Sequence, residues 1–260
     1  MTASATPGRR VLITGASSGI GMAFARQLGA GGHDLVLTAR REENLRSLAD
    51  EIRDRHGVAV DYLTVDLAER DAPARIDAAI AARDWKLGGL INNAGFGALG
   101  RFERIPVERQ CGMIDVNVTR LVELSHRMIP HLQGAPGAFI INVASAAAFQ
   151  AIPKFAVYAA TKAFVLSFSE ALHEELRGKG ITVSALCPGA TDTEFAEAAN
   201  MTHSGLFDRG VMTADDVARI GLAKRKNAIV VAGSRNLASS VAAKLAPRSV
   251  ARKIAGWIVS

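Results

Sequence analysis

Two periods alternate along the first 190 residues. Val11-Leu12-Ile13 is a short apolar run ending in Thr14-Gly15. From Gly19 to Leu28 the apolar positions Ile20, Phe24 and Leu28 fall on one face of a helix. Leu35-Val36-Leu37 is the next strand, and Glu42 to Arg55 a charged helix with Leu45, Leu48 and Ile52 on its apolar stripe. The pattern then predicts a strand over Val58 to Val65, a helix over Ala72 to Ala82 and a strand at Leu90-Ile91. A long helical stretch from about Glu108 to Leu132 follows. Phe139 to Val143 reads as a strand, Tyr158 to Arg177 as a helix and Ile181 to Leu186 as a strand.

Near-continuous apolar strands separated by helices imply a parallel sheet covered on both faces. With right-handed crossovers, the expected fold class is α/β, a doubly wound, Rossmann-like parallel sheet. No internal repeat or low-complexity linker divides the chain, so residues 1–260 read as a single domain. Residues 1–8 are expected to be a flexible N-terminus and 235–260 a basic C-terminal tail. Ala190 to Val211 lacks periodicity and holds Gly205 and Gly210, which fits a mobile lid or an ordinary surface loop.

Composition narrows the class. Apolar residues make up 49% of the 260 positions but aromatics only 5%, so the core must be aliphatic. No apolar run reaches the roughly 18 residues of a membrane span, and no secretory h-region is visible near Met1. Cys111 and Cys187 cannot form a disulfide framework, which fits a reducing, cytoplasmic location. His126, His131 and His173 lack metal-ligand spacing, so no metal is expected. The net charge is +6, unevenly spread. After Asp216 there is no Asp or Glu, while nine Lys and Arg follow. Such an end can meet nucleic acid, an anionic membrane, an anionic substrate or another subunit.

The chemistry gathers at the ends of the strands. Gly15, Gly19 and Gly21 stand between the first strand and first helix, where backbone amides can approach a pyrophosphate. Their spacing is G-x3-G-x-G rather than G-x-G-x-x-G. The second strand ends Thr38-Ala39-Arg40-Arg41, without the acid that would grip a ribose 2′-hydroxyl. A guanidinium at Arg40 suits a 2′-phosphate and so NADP(H) over NAD, unless both arginines merely open the next helix. Tyr158 and Lys162, four apart on a helix, share a face. A neighbouring ammonium favours the phenolate and would lower a Tyr pKa from its usual value of about 10. Ser145, just past the Phe139–Val143 strand, lies where a parallel sheet presents ligands.

These residues together resemble a short-chain dehydrogenase/reductase of the single-domain branch. The resemblance spans about residues 9 to 195. It rests on Thr14-Gly15…Gly19-Ile20-Gly21, Asp66, Asn92-Asn93-Ala94-Gly95, Asn117, Ser145, Tyr158…Lys162 and Pro188-Gly189…Thr193. It implies an NADP(H)-dependent oxidoreductase interconverting a ketone and a secondary alcohol, with Tyr158 as catalytic acid or base. Lys162 would lower its pKa and hold the nicotinamide ribose, and Ser145 would orient the substrate oxygen. Asn117 would kink the long helix and support a water-linked proton path to Lys162. The turn from Gly15 through Ser17, Ser18, Gly19 and Ile20 to Gly21 would hold the cofactor, with Asp66 and Leu67 at the adenine. Asn92, Ala94 and Gly95 would line the adenosine side, and Pro188, Gly189, Thr191 and Thr193 the nicotinamide. Arg40 matches the NADP-preferring subgroup, although Ser17 and Ser18 occupy positions where that subgroup can carry a second base.

Phe96, Ala147, Phe149, Ile152 and Phe195 point to an apolar substrate pocket beside Ser145 and Tyr158. A small-molecule carbonyl or alcohol is the expected partner, and a weaker likeness of the tail to ketoacyl reductases adds 3-ketoacyl thioesters. In the tail, Leu237, Val241 and Leu245 recur at helical spacing, Pro247 interrupts, and Val250, Ile254 and Ile258 resume it. Docking in a homodimer or homotetramer is preferred here over peripheral contact with an anionic membrane. Nucleic-acid binding lacks any recognition motif. A non-catalytic NADP sensor or scaffold would not need Ser145, Tyr158 and Lys162 together, and an epimerase or dehydratase gripping a nucleotide-sugar would need a longer chain.

Overall fold

A computed structural model describes residues 8–199 and 211–258. Residues 1–7 of the expected N-terminal arm, and residues 200–210 of the aperiodic segment, lie outside the described residues, as do the side chains of Lys244, Leu245 and Ile258. Strands β1 (Arg10–Thr14), β2 (Asp34–Ala39), β3 (Val60–Thr64), β4 (Leu87–Asn92), β5 (Phe139–Val143) and β6 (Thr182–Cys187) alternate with helices. Those helices are α1 (Gly19–Ala30), α2 (Glu42–His56), α3 (Ala72–Ala82), α4 (Val107–Ile114), α5 (Leu121–Leu132) and α6 (Ala156–Arg177). Beyond β6 come β7 (Thr191–Asp192), α7 (Phe195–Ala198), β8 (Met212–Thr213), α8 (Ala214–Ala223), β9 (Ile229–Val231), α9 (Ser234–Leu245) and α10 (Arg248–Ile258).

Seven strands form one parallel sheet in the order β3-β2-β1-β4-β5-β6-β9, and β7 and β8 pair separately. Successive strand residues face opposite sides, and the core divides accordingly. Ile13 and Leu37 pack with Phe24, Leu28, Ile52 and Val217 under α1, α2 and α8. Leu12, Val36 and Leu90 pack with Ile76, Ile80 and Met128 under α3 and α5. The chain leaves β1 toward β2 and β3 and returns on its other side at β4. That reversal opens a crevice at the carboxyl ends of β1 and β4.

The long helix breaks at Asn117, as the resemblance implied: α4 passes into a π-helical segment, Asp115–Arg120, before α5. The sheet also gains β9, with α8 leading into it, and neither stands out as an apolar pattern. The two tail helices form on either side of Ala246-Pro247, where the periodicity breaks.

Candidate active site

The turn after β1 is built to bring backbone close to a ligand. Gly15 and Gly19 have φ of +65° and +53°, a region open to glycine at little cost. A Cβ on Gly21 would collide with the Gly15 carbonyl oxygen. Thr14 Oγ1 accepts from the Asn93 and Ala94 amides, both at 3.0 Å. Asn93 Nδ2 donates back to the Thr14 and Gly15 carbonyls at 3.0 and 3.1 Å. The turn is thus fastened to the end of β4. Helix α1 starts behind it with no acidic residue in its first turn and no side-chain cap from Ser18. Its N-terminal amides therefore suit a dinucleotide pyrophosphate.

Gly15, Ser17, Ser18, Gly19 and Ile20 open one cleft of about 1000 Å³. Arg40, Arg41, Asp66 and Leu67 line its far end, and Ala94 and Gly95 its floor. Arg40 is exposed there. The neighbouring Arg41 is the arginine that reaches inward: its guanidinium donates to Ser17 Oγ at 3.3 Å and pairs with Glu194 at 2.9 Å. The sequence singles out Arg40 of the pair, because side-chain reach is not written in strand position. Asp66 Oδ1 accepts from the Ala68 amide at 2.9 Å, so one carboxylate oxygen caps a turn beside the cleft.

At the other end Ser145, Tyr158, Lys162, Pro188, Gly189, Thr191 and Thr193 share the same wall. Helix α6 carries Tyr158 and Lys162 one turn apart, and Ser145 follows β5. Ser145 Oγ accepts from the Ala147 amide at 3.1 Å, which fixes its direction. Burial pushes the Tyr158 phenol up to about 12, against an opposing hydrogen bond from Ser145. Burial also lowers Lys162 to about 8. The Lys162 ammonium donates to the Val143 carbonyl at 2.7 Å and sits 5.7 Å from the Tyr158 ring centre. Desolvation is the largest cause at Tyr158, and the phenol holds its proton at neutral pH.

Asn117 lies in the π-helical segment, fully buried. Its amide brackets Phe96, accepting from the backbone N–H at 3.1 Å and donating to the carbonyl at 3.0 Å, and donates to Thr161 Oγ1 at 3.1 Å. It supports the cleft floor rather than facing the cleft. Asn92 is a correction: its Nδ2 donates to Ser125 and Asn142 inside the sheet, so its side chain is not on the adenosine side. The next residue, Asn93, lines the cleft instead. Gly21 is buried behind the turn, where its lack of a side chain permits the packing.

Phe96, Ala147, Phe149, Ile152 and Phe195 all line the cleft near Tyr158. Phe155 stacks on the Tyr158 ring at 4.3 Å and Phe195 approaches it at 5.4 Å. Arg109, Asn236, Ser240 and Ala255 also contribute to the wall. The last three come from α9 and α10, which no local motif ties to a site. Among the described residues no cluster of His, Cys, Asp and Glu could hold a metal ion.

A doubly wound sheet, a glycine turn and a Ser–Tyr–Lys set across one cleft define a dinucleotide-binding oxidoreductase scaffold. The chain belongs to the short chain dehydrogenase family, whose sequence pattern matches residues 9–204. It is 39% identical over 219 residues to sulfoacetaldehyde reductase of Chromohalobacter salexigens, covering 80% of this chain and 84% of that one. It is 37% identical over 216 residues to serine 3-dehydrogenase of Agrobacterium fabrum, with the same coverage. A short-chain dehydrogenase from Sphingobium yanoikuyae, solved in complex with NADPH, superposes with a TM-score of 0.81 at 35% identity. That match covers 90% of this chain and 91% of the other.

Proposed function

We propose that this oxidoreductase uses NADP(H) to interconvert a ketone and a secondary alcohol on an apolar small molecule. The observation that carries the reading is the convergence of Ser145, Tyr158 and Lys162 on the cleft that the glycine turn opens. When bound, the nicotinamide supplies or accepts the hydride. Tyr158, protonated at neutral pH, donates its proton to the substrate oxygen during reduction, while Ser145 holds that oxygen in place. Lys162 anchors the nicotinamide ribose and, with its charge, favours the phenolate that remains once Tyr158 has given up its proton. Arg40 and Arg41 supply the guanidinium pair for a 2′-phosphate. The NADPH complex of the Sphingobium relative supports this choice. Phe96, Phe149, Ile152 and Phe195 make the substrate end apolar, which favours an aliphatic or ring-bearing carbonyl.

The reading includes a single catalytic domain working in the cytoplasm as a homo-oligomer. The test follows NADPH absorbance against a panel of ketones, ketosteroids and 3-ketoacyl thioesters. Tyr158→Phe should abolish turnover, a loss of at least about a thousandfold, and keep NADPH binding. Full turnover in that variant would overturn the assignment; NADPH binding with no turnover by the wild type on any carbonyl would favour a sensor.

A further inference from the structure

The apolar end of the cleft carries a cation that the chemistry above does not use. Arg109, on α4, lines that end together with Phe96, Phe155 and Phe195. Its guanidinium lies over the Phe96 ring, 5.7 Å from the centre. Its Nη2 donates to the Gly97 carbonyl at 3.3 Å and to the Ala198 carbonyl at 2.6 Å. Gly97 in turn touches both rings that flank the catalytic phenol: an added Cβ would stand 2.9 Å from Phe195 and 3.0 Å from Phe155. Those rings lie 5.4 and 4.3 Å from the Tyr158 ring. One layer of side chains therefore separates Arg109 from Tyr158.

The contacts Arg109 makes leave its charge unanswered. Two backbone carbonyls need a donor, not a cation, and Nη2 serves both. Among the described residues Nε and Nη1 have no hydrogen-bond partner and the guanidinium has no carboxylate beside it. The acids that line the cleft, among the described residues, are Asp66 and Glu194. Asp66 stands with Arg40 and Arg41 at the opposite end, and Glu194 is paired with Arg41. Arg235, on the helix that packs against the turn Ala146–Phe149, brings a second guanidinium to the cleft. A guanidinium seated over a ring with two nitrogens open suits a planar oxyanion, and the local excess of positive charge draws anions toward the cleft.

We propose, resting on the ketone–alcohol reading above, that the substrate is amphipathic and that Arg109 selects it. Ser145 and Tyr158 hold its carbonyl, Phe96 and Phe155 face its apolar body, and Arg109 binds a terminal oxyanion, a carboxylate or its like. Arg109 is a specificity-determining residue and takes no part in hydride or proton transfer. The rings between it and Tyr158 set the distance from carbonyl to anion, so the preference depends on chain length.

The probes are methyl-ketone carboxylic acids of increasing length, from levulinate upward, each compared with its methyl ester by NADPH absorbance. At the best length the wild type should favour acid over ester in kcat/KM by about ten- to a hundredfold, the range of a charge-assisted hydrogen bond. The preference should shrink as salt is raised. Loss of the Ala198 contact slows acid and ester alike, so their ratio reads the charge alone. Arg109→Gln should bring that ratio near unity, Arg109→Glu should invert it, and Arg109→Lys, with the charge but not the fork, should keep part of it. An unchanged thermal midpoint and unchanged NADPH binding show that each variant is folded. No acid preference at any length in an enzyme that reduces other ketones would overturn the inference, as would a preference that survives Arg109→Gln; either leaves the ketone–alcohol reading standing. Failure to reduce any carbonyl at all would defeat that reading and this inference with it.

Discussion

At the scale of single residues, Lys162 is the costliest side chain in the cleft. It is buried, and burial lowers it to about 8 from an ordinary value of 10.5. Between those values the unfolded chain holds a proton that the native chain has released. Stability therefore rises with pH through that window, and the full penalty applies below it. Lys162→Met should stabilise the protein at pH 7 by about 1–2 kcal/mol, after loss of the hydrogen bond to Val143 is set against the removed penalty. The advantage should shrink toward pH 10; Tyr158, raised to about 12 by burial, opposes stability only above about 10. Urea unfolding at pH 7 and pH 9.5 checks this, and a pH-independent difference would refute it. The same titration should make kcat/KM for NADPH fall above about pH 8 in the wild type, as the ribose anchor loses its charge. These residues were legible as a motif, since Tyr158, Lys162 and Ser145 keep a fixed spacing. Their protonation was not, because it depends on burial, to which Phe195 contributes from beyond β7 as well as Phe155 from the start of α6. Cofactor preference should answer to one side chain: Arg40→Asp should raise KM for NADPH at least about tenfold more than KM for NADH. An unchanged ratio would leave the 2′-phosphate to Arg41 alone.

Among the elements, the break between α4 and α5 is the informative one. A π-helical segment widens the helix where Asn117 turns inward, and the Asn117 amide then holds Phe96 and Thr161. Asn117→Ala would leave those buried groups short of partners and should cost about 2–3 kcal/mol, measurable by urea unfolding. Activity should fall further than stability alone explains, because Gly95 and Phe96 form the cleft floor. Loss of stability with kcat untouched would make Asn117 a purely structural residue. Apolar periodicity gave the helices bounding this region but not the break, since a π-turn shifts register without changing composition. Strand β9 and helix α8 escaped for a different reason. Three residues carry no readable period, and α8 buries only Val217, Ala218 and Gly221.

Over the whole molecule, chain order explains most of what was legible. Strands β1 to β6 and their helices follow one another in sequence, so the parallel sheet and its switch point could be anticipated. The cleft walls could be anticipated only in part. Asn236, Ser240 and Ala255 return to the site from the far end of the chain, and pairings over such separations leave no local trace. The same holds for the contact between Arg41, after β2, and Glu194, after β7.

That contact couples distant regions. A phosphate arriving at Arg41 must displace a carboxylate, and the residue after Glu194 is Phe195, whose ring rests against Tyr158. Glu194→Gln should thus tighten NADPH binding about two- to fivefold, the range of an exposed ion pair, and leave NADH binding unaltered in a fluorescence titration. Weaker NADPH binding would mean that the carboxylate assists rather than competes. By reciprocity, if NADPH binding shifts Phe195 through this contact, a substrate that clamps Phe195 should shift the affinity for the phosphate by the same factor.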